Sequence, residues 1–470
     1  MKRYERYAHE ITALIEAQTL KAGDRLPSVR EACAQRKISA STVFEAYYLL
    51  EARGLVQVRP RSGYYVNAKR TPRQAQPHTA TPAQHSTDVA VSELVFKVLE
   101  STRRKDVVPL GSAFPSPTLF PLDKLARCLT PAMRSLAPER LSEDLTLGND
   151  KLREWLALRY VVEGAAAAPE EIVVTNGAME ALNLCLQATT QAGDVVAVES
   201  PMFYSALQAL ERLKLRAVEV ATHPRTGVDL DSLADVLQRH PVKACWFMPN
   251  FQNPLGSLMP ESAKRAMVAL LAQHQVPLIE DDVYGELYFD LRRPLPAKVF
   301  DTQGLVLHCS SFSKCLAPGY RVGWVAAGRY APAVQRLKLM TTLSTAVPSQ
   351  LAIAGYLQGG SYERHLRGLR STLANDQQRA LRLITRHFPK GTRTTRPQGG
   401  YFVWVELPAH INALQLQALA LEQHISVAPG QLFSADQRFA HCLRINVGHA
   451  QDPRFDAALQ TLGELACGLS

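Results

Sequence analysis

One run of residues carries unusual chemistry: Ser310-Ser311-Phe312-Ser313-Lys314-Cys315-Leu316-Ala317-Pro318-Gly319-Tyr320-Arg321. A lysine that follows an apolar run, sits among hydroxyls and has an arginine seven residues on suits an aldehyde cofactor bearing a phosphate. Lys314 is expected to form a Schiff base with pyridoxal 5'-phosphate. Ser311, Ser313 and Arg321 would bind the phosphate, Arg321 through its planar fork. A lone lysine among serines is most often a solvated loop, so this reading depends on companions elsewhere in the chain.

The companions occur in order. Glu280-Asp281-Asp282-Val283-Tyr284 follows the apolar run Pro277–Ile279. A carboxylate beside a pyridine nitrogen keeps it protonated and makes the ring an electron sink. Asp281 is the first choice and Asp282 the alternative, because alternation along a strand lets only one face the ring. Tyr284 and Asn253, in Asn253-Pro254-Leu255-Gly256, would donate hydrogen bonds to the ring phenolate. After Ile172–Val174, Thr175-Asn176-Gly177-Ala178-Met179-Glu180 opens a helix, and free N–H groups of Gly177, Ala178 and Met179 would face the phosphate. Phe203 can stack on the pyridine. Arg444 can grip the carboxylate of a substrate or effector bidentately. Taken singly, Asn-Pro-x-Gly is an ordinary turn, Phe203 a core residue and Arg444 a surface arginine. Their joint appearance in sequence order is not an accident.

Such residues need a scaffold. Apolar runs at Ile172–Val174, Val195–Val198, Ala244–Met248, Pro277–Ile279 and Leu305–Leu307 alternate with helical patterns. That beat predicts an α/β sheet with helices on both faces, and chemistry at the strand C-terminal ends.

The first 70 residues read differently. They hold 13 Lys and Arg against 7 Asp and Glu, a net of +6 of the chain's +10. A local basic excess points to a polyanion partner. Tyr7, Ile11, Leu14 and Ile15 share a helical face. Ser28 and Glu31 have capping-box spacing, and Ser39 caps a further helix at 40–51. There Val43, Tyr47 and Leu50 share one face, and Ser41, Thr42, Glu45 and Tyr48 point outward. Gly54 stops the helix. Two short strands, Leu55–Val58 and Gly63–Val66, flank a basic turn with Arg59 and Arg61. Three helices and a basic hairpin predict a winged helix-turn-helix. The 40–51 helix would enter the major groove through Ser41 and Thr42. Arg30, the helix N-termini capped by Ser28 and Ser39, and the wing residues Arg59 and Arg61 would hold phosphates.

Residues 71–88 hold three prolines, four threonines and no Val, Ile, Leu, Met or aromatic residue. A stretch this polar predicts an extended, mobile tether. The expected organisation is a DNA-binding domain at 1–70, a linker at 71–88 and a cofactor-binding domain at 89–470.

The 470 residues are 46% apolar and 20% charged, which excludes a disordered chain. No run of 18 apolar residues occurs, so no membrane span is expected. The charged N-terminus lacks a secretory h-region. The eight cysteines show no CxxC pair and no metal-ligand spacing. Buried thiols in a reducing cytoplasm, and no metal site, are expected.

Two resemblances join these halves. Gly23-Asp24-Arg25-Leu26-Pro27-Ser28-Val29-Arg30, Thr42-Val43, Leu49 through Val56 and Ser62-Gly63-Tyr64-Tyr65-Val66 resemble the GntR family of bacterial regulators. Ala40 stands where that family usually has an arginine. Residues 90–470 resemble the fold-type I aminotransferases, from Gly148-Asn149-Asp150-Lys151-Leu152-Arg153 through Gly399-Gly400-Tyr401-Phe402-Val403-Trp404 to Arg444. This likeness implies pyridoxal phosphate, a large α/β domain with a mainly parallel sheet, a smaller α+β domain, and a homodimer. It also implies cofactor roles for Lys314, Asp281, Tyr284, Asn253, Ser311, Ser313, Arg321 and Phe203, and a carboxylate role for Arg444. Ala178-Met179 replace a frequent serine–glutamine, and Thr146-Leu147 a frequent tyrosine. In this order the halves resemble MocR-type regulators. The implied function is a transcriptional regulator that binds a double-stranded DNA operator and senses pyridoxal phosphate or a small amino compound. The alternative is a working aminotransferase with a DNA-binding appendage.

Overall fold

The computed structural model describes residues 2–52, 55–59, 62–66, 74–82, 85–101, 106–134, 136, 138–139, 147–165 and 167–469. Its N-terminal head comprises α1 (Arg3–Glu16), α2 (Val29–Arg36), α3 (Ala40–Ala52) and the antiparallel pair β1 (Val56–Arg59) and β2 (Gly63–Val66). The second and third helices start where a serine can satisfy free N–H groups. Ser28 Oγ accepts from Glu31 N at 3.3 Å, and Glu31 returns a carboxylate to Ser28 N at 2.7 Å. Ser39 Oγ accepts from Thr42 N at 3.3 Å. Tyr4, Tyr7, Ala8 and Ile11 of α1 pack on Val43, Ala46, Tyr47 and Leu50 of α3. Tyr47 pins α3 to the start of α2 by donating to Pro27 O at 2.6 Å. Leu14 does not join this face. It is exposed, about 100° round the helix from half-buried Ile15, which continues the face of Tyr4, Ala8 and Ile11 into the core. Gly54 and Arg61 lie outside the described residues.

The described part of 71–88 is not a free tether. Ala75 O accepts from Thr394 N at 3.1 Å, and Gln74 accepts from Thr394 Oγ1 at 3.0 Å. His78 N donates to Glu406 at 2.8 Å, and Thr81 O accepts from Arg438 at 2.8 Å. Thr87–Asp88 then adds an edge strand antiparallel to Arg216–His223. The composition argument counted only apolar burial. Its described part is held by polar groups of the body that bond to its backbone at Ala75, Gln76, His78, Thr81 and Ser86.

In the body, one sheet runs in the order Thr87–Asp88, Arg216–His223, Val195–Ser200, Val242–Phe247, Leu278–Asp281, Val306–Ser311, Gly323–Ala326 and Ile172–Thr175. The five central strands from Arg216–His223 to Val306–Ser311 are parallel, and Gly323–Ala326 runs antiparallel to both its neighbours. Helices cover both faces, so the strands read as continuous apolar runs. Val196, Ala244, Ile279 and Leu307 enter one core cluster, while Val195, Cys245, Leu278 and Val306 enter the other. A smaller α+β unit holds an antiparallel sheet of Arg393–Thr394, Phe402–Glu406, Cys442–Asn446 and Ala428–Pro429. Helices Ser361–His387, Ala413–Glu422 and Phe455–Gly468 accompany it. Among the described residues no helix is long and apolar enough to cross a membrane.

Candidate cofactor and effector site

The parallel strands deliver their next residues to one edge. Asp281 ends Leu278–Asp281, and Lys314 lies in the turn after Val306–Ser311. Gly177 caps the helix Ala178–Thr189 directly after Ile172–Thr175. Arg444 reaches the same region from the small sheet.

A cradle forms around Arg321. Its Nη1 donates to Ser313 Oγ at 3.3 Å and its Nη2 to Asn176 O at 3.2 Å, while Ser313 N donates to Ser311 Oγ at 3.3 Å. Gly177 holds φ +84°, and a Cβ there would lie 2.3 Å from Arg321 Nη2. The glycine is therefore needed both for its backbone angle and for the space the guanidinium fills. Ala178 and Met179 begin the helix, where N–H groups lack intrahelical partners. Guanidinium, hydroxyls and a helix N-terminus in one place are the donor set of a phosphate site.

The two adjacent carboxylates differ sharply. Asp282 accepts from Asn250 Nδ2 at 2.9 Å and pairs with Arg293 Nη2 at 2.5 Å and His308 Nε2 at 3.1 Å. Burial opposes its charge, but Arg293 and His308 hold its carboxyl well below the usual range. Asp281 is equally buried, and its Oδ1 has no hydrogen-bond partner. Burial pushes it up to about 7, against the Val283 N–H and aided by the Asp282 charge. A buried carboxylate oxygen without a donor fits a protonated ring nitrogen placed against it.

Lys314 Nζ donates to Ala113 O at 3.0 Å and lies 3.6 Å from the Phe114 ring centre. Burial first, then the charges of Arg444 and Arg321, lower its pKa to about 7, although Asp281 pulls the other way. Asn253 Nδ2 donates to Tyr284 Oη at 3.4 Å, and Asn253 Oδ1 accepts from Arg444 Nη1 at 3.2 Å. Burial raises the Tyr284 phenol. Arg444 is fully buried, donates to Gly111 O at 2.7 Å and Ser112 O at 3.2 Å, and keeps Nε without a partner. Phe402 lies 4.2 Å and Phe433 5.2 Å from its guanidinium. Phe203 is half-buried at the start of Tyr204–Arg212, with its ring 5.0 Å from that of Tyr204. Lys314, Asp281, Tyr284, Asn253 and Arg444 thus form one connected neighbourhood, and Ser311, Ser313, Arg321, Gly177, Ala178 and Met179 gather at its other end.

Sequence reasoning missed the segment Gly111–Pro115, whose carbonyls receive Arg444 and Lys314. Asn446, two residues after Arg444 and so on the same strand face, secures that segment through Ser112 O at 2.9 Å and Phe114 O at 2.7 Å. It also missed His308 and Arg293. The alternation of His308 with Ser310 on one strand was the available signal for His308.

In the head, Arg30, Ser39 and Ser41 are exposed, and Ser28 and Thr42 are half-buried. Ser28 and Ser39 point their oxygens at helix N–H groups. Arg59 belongs to β1 by its backbone, and Arg61 falls outside the described residues.

Comparison with known proteins joins both halves. The model for bacterial regulatory proteins of the gntR family matches residues 3–66, and that for aminotransferase class I and II matches residues 137–462. The Escherichia coli K12 "Uncharacterized HTH-type transcriptional regulator YdcR" is 46% identical over 465 residues, covering 99% of both chains. Among solved structures, the Pyrococcus horikoshii kynurenine aminotransferase shares 28% identity at a TM-score of 0.75, covering 81% of this chain and 95% of that one. The Thermus thermophilus α-aminoadipate aminotransferase LysN, complexed with N-(5'-phosphopyridoxyl)-L-leucine, shares 29% identity at a TM-score of 0.72, with 80% and 94% covered. A GntR-type head at the N-terminus of an aminotransferase-type body, matched over its full length by a helix-turn-helix regulator, makes this chain a member of the MocR-type GntR family of transcriptional regulators.

Proposed function

We infer that the chain binds operator DNA through its head and senses pyridoxal 5'-phosphate, or an amino compound that reacts with it, in its body. One observation carries this reading over that of an enzyme with an appendage: a short loop runs from the site to the head. It leaves the strand at Asp281 and Asp282 and passes Tyr284. At its tip, Leu291 packs against the core of the head. Arg293 then returns to Asp282 at 2.5 Å and to Glu286 at 2.9 Å. Arg370 braces the loop from outside, donating to Glu286 O at 2.7 Å and lying 3.7 Å from the Tyr288 ring centre. Tyr48 and Glu51 of α3 line a cleft with Tyr288, Leu291 and Arg370. A change at the base of this loop has a short path to the DNA-binding helix.

Bound pyridoxal phosphate would supply a reactive aldehyde and an electron-withdrawing ring. Arg321, Ser311, Ser313 and the helix N-terminus at Gly177 to Met179 would anchor its phosphate. Lys314, neutral in part near pH 7, provides the amine. Asp281 would hold the proton at the ring nitrogen, Tyr284 and Asn253 would face the phenolate, and Phe203 would stack on the ring. Arg444 orients the carboxylate of an amino-acid effector. The ligand shifts the head only by as much as it favours one loop position over another. The body pairs with a second copy, covering exposed apolar residues such as Met340, Leu343 and Leu122. The protein works in the cytoplasm on double-stranded DNA.

The lowered pKa of Lys314 also suits proton transfer, and so favours slow turnover as a second reading. Titration of DNA binding with and without pyridoxal phosphate and a panel of amino acids separates the two. Affinity that changes with ligand in the natural protein and not in Lys314→Ala supports sensing. Identical DNA affinity in every condition, with keto acid accumulating over many cycles, would establish the enzyme.

A further inference from the structure

The head leaves one aromatic side chain where it serves no internal purpose. Phe44 on α3 is 53% exposed, while Val43, Ala46, Tyr47, Leu49 and Leu50 around it are at most 2% exposed. Ser41, Phe44, Glu45 and Tyr48 form the outward stripe of the helix by their spacing. Tyr48 already lines the cleft with the body, so the open part of the stripe is Ser41, Phe44 and Glu45. The whole of α3, Ala40–Ala52, contains no lysine or arginine, and its charges are Glu45 and Glu51. Glu51 is half-buried and is held by the Val58 N–H of the wing.

Major-groove chemistry turns this composition into a preference. Guanine presents two acceptors and is read by arginine or lysine. Cytosine presents an amino donor and suits a carboxylate. The thymine methyl suits an apolar tip. A carboxylate among phosphates is repelled unless such a donor meets it, so an acidic residue here also penalises wrong sequences. We propose that α3 reads a thymine methyl through Phe44 and a cytosine amino group through Glu45, with no guanine contact from this helix. Phosphate attraction then comes from outside α3, from Arg30 and the wing. This inference rests on the DNA-binding reading above and adds the base chemistry it selects.

The test begins with selection of binding sites from random duplex DNA by the full-length protein. Each thymine of the selected site is then replaced singly by uracil, which removes only the methyl group. At one thymine per half-site the replacement is expected to weaken binding about fourfold, the ratio that corresponds to one methyl group withdrawn from water. Phe44→Ala is expected to bind thymine and uracil duplexes equally, and Phe44→Leu to keep part of the discrimination. Glu45→Ala is expected to relax the preference for cytosine at a neighbouring position. Uracil without effect at every position, or Phe44→Ala discriminating as the natural protein does, would overturn the assignment. So would an unchanged cytosine preference in Glu45→Ala. Failure to bind any duplex even at low salt would instead remove the DNA-binding reading beneath it, and the assignment with it.

Discussion

The guanidinium of Arg293 lies 2.5 Å from Asp282, and this pair decides which of two neighbouring carboxylates is available to a ligand. Asp282 is consumed by Arg293, His308 and Asn250, whereas Asp281 keeps a buried oxygen with no donor. Substitutions should separate them. Asp281→Asn can keep the hydrogen bond from the Val283 N–H through its amide oxygen and gives up only a charge whose Oδ1 has no partner, so the melting temperature should hold while pyridoxal phosphate binding weakens at least tenfold, about the effect of losing one charge-assisted hydrogen bond. Asp282→Asn takes one of three carboxylate partners from buried Arg293, leaving Glu286 and Glu163, and removes the carboxylate that faces His308. Breaking a buried ion pair outright costs about 3–5 kcal/mol, and the two remaining carboxylates offset part of that, so the melting temperature should fall, by less than a full unpairing would cause. Thermal unfolding alongside cofactor titration reads both. A destabilised Asp281→Asn protein with normal cofactor binding would reverse the assignment.

Lys314 gives a pH signature. Its pKa stands at about 7 in the folded chain, against 10.5 for the free side chain. Between those values the unfolded chain binds a proton that the native state does not. This group therefore costs stability below about pH 7, and the cost is relieved as pH rises toward 10.5. Reductive labelling of Lys314 with pyridoxal phosphate and borohydride should reach half its maximum near pH 7. Lys314→Met should lose the label and flatten the rise of stability above neutrality. A labelling midpoint near that of a solvent lysine would contradict this.

Arg30 tests the phosphate side of the head. It is exposed at the N-terminal end of α2, next to the Ser28 cap. Replacing it by alanine should weaken DNA binding uniformly across sequences. The slope of log affinity against log salt should fall by about 0.9, one released counterion. Binding measured at several salt concentrations checks this, and an unchanged slope would place Arg30 off the DNA.

What could be read from the chain alone follows from what alternation and punctuation encode. All five apolar runs became strands of the main sheet, because burial on both faces leaves an uninterrupted apolar signal. Arg216–His223 escaped notice because Glu219 interrupts it; that carboxylate is buried and accepts from Ser434 at 3.1 Å. Lys314 and Asp281 stood out because they stand at or just after the ends of parallel strands, and Arg444 because it is a charge inside the otherwise uncharged strand Cys442–Asn446. Gly111–Pro115 did not, since it acts through backbone carbonyls, which every residue possesses. The docking of the segment from Gln74 to Thr81 was hidden for the same reason: its partners, Thr394, Glu406 and Arg438, lie more than 300 positions away.

The last prediction concerns coupling. Leu291 is the apolar tip of the loop that starts at Asp281, and it packs on the head rather than on the body core. Leu291→Ser should weaken that contact without touching the site, since Arg293, Glu286 and Arg370 pin the loop on its body side. The variant should take up pyridoxal phosphate and be labelled at Lys314 like the natural protein. It should also bind operator DNA with an unchanged salt slope. Only the ratio of DNA affinities with and without ligand should move, falling toward one. That pattern separates a transmission role from a folding role, which would lower cofactor and DNA binding together. If ligand control of DNA binding survives in Leu291→Ser, the message does not travel through this loop.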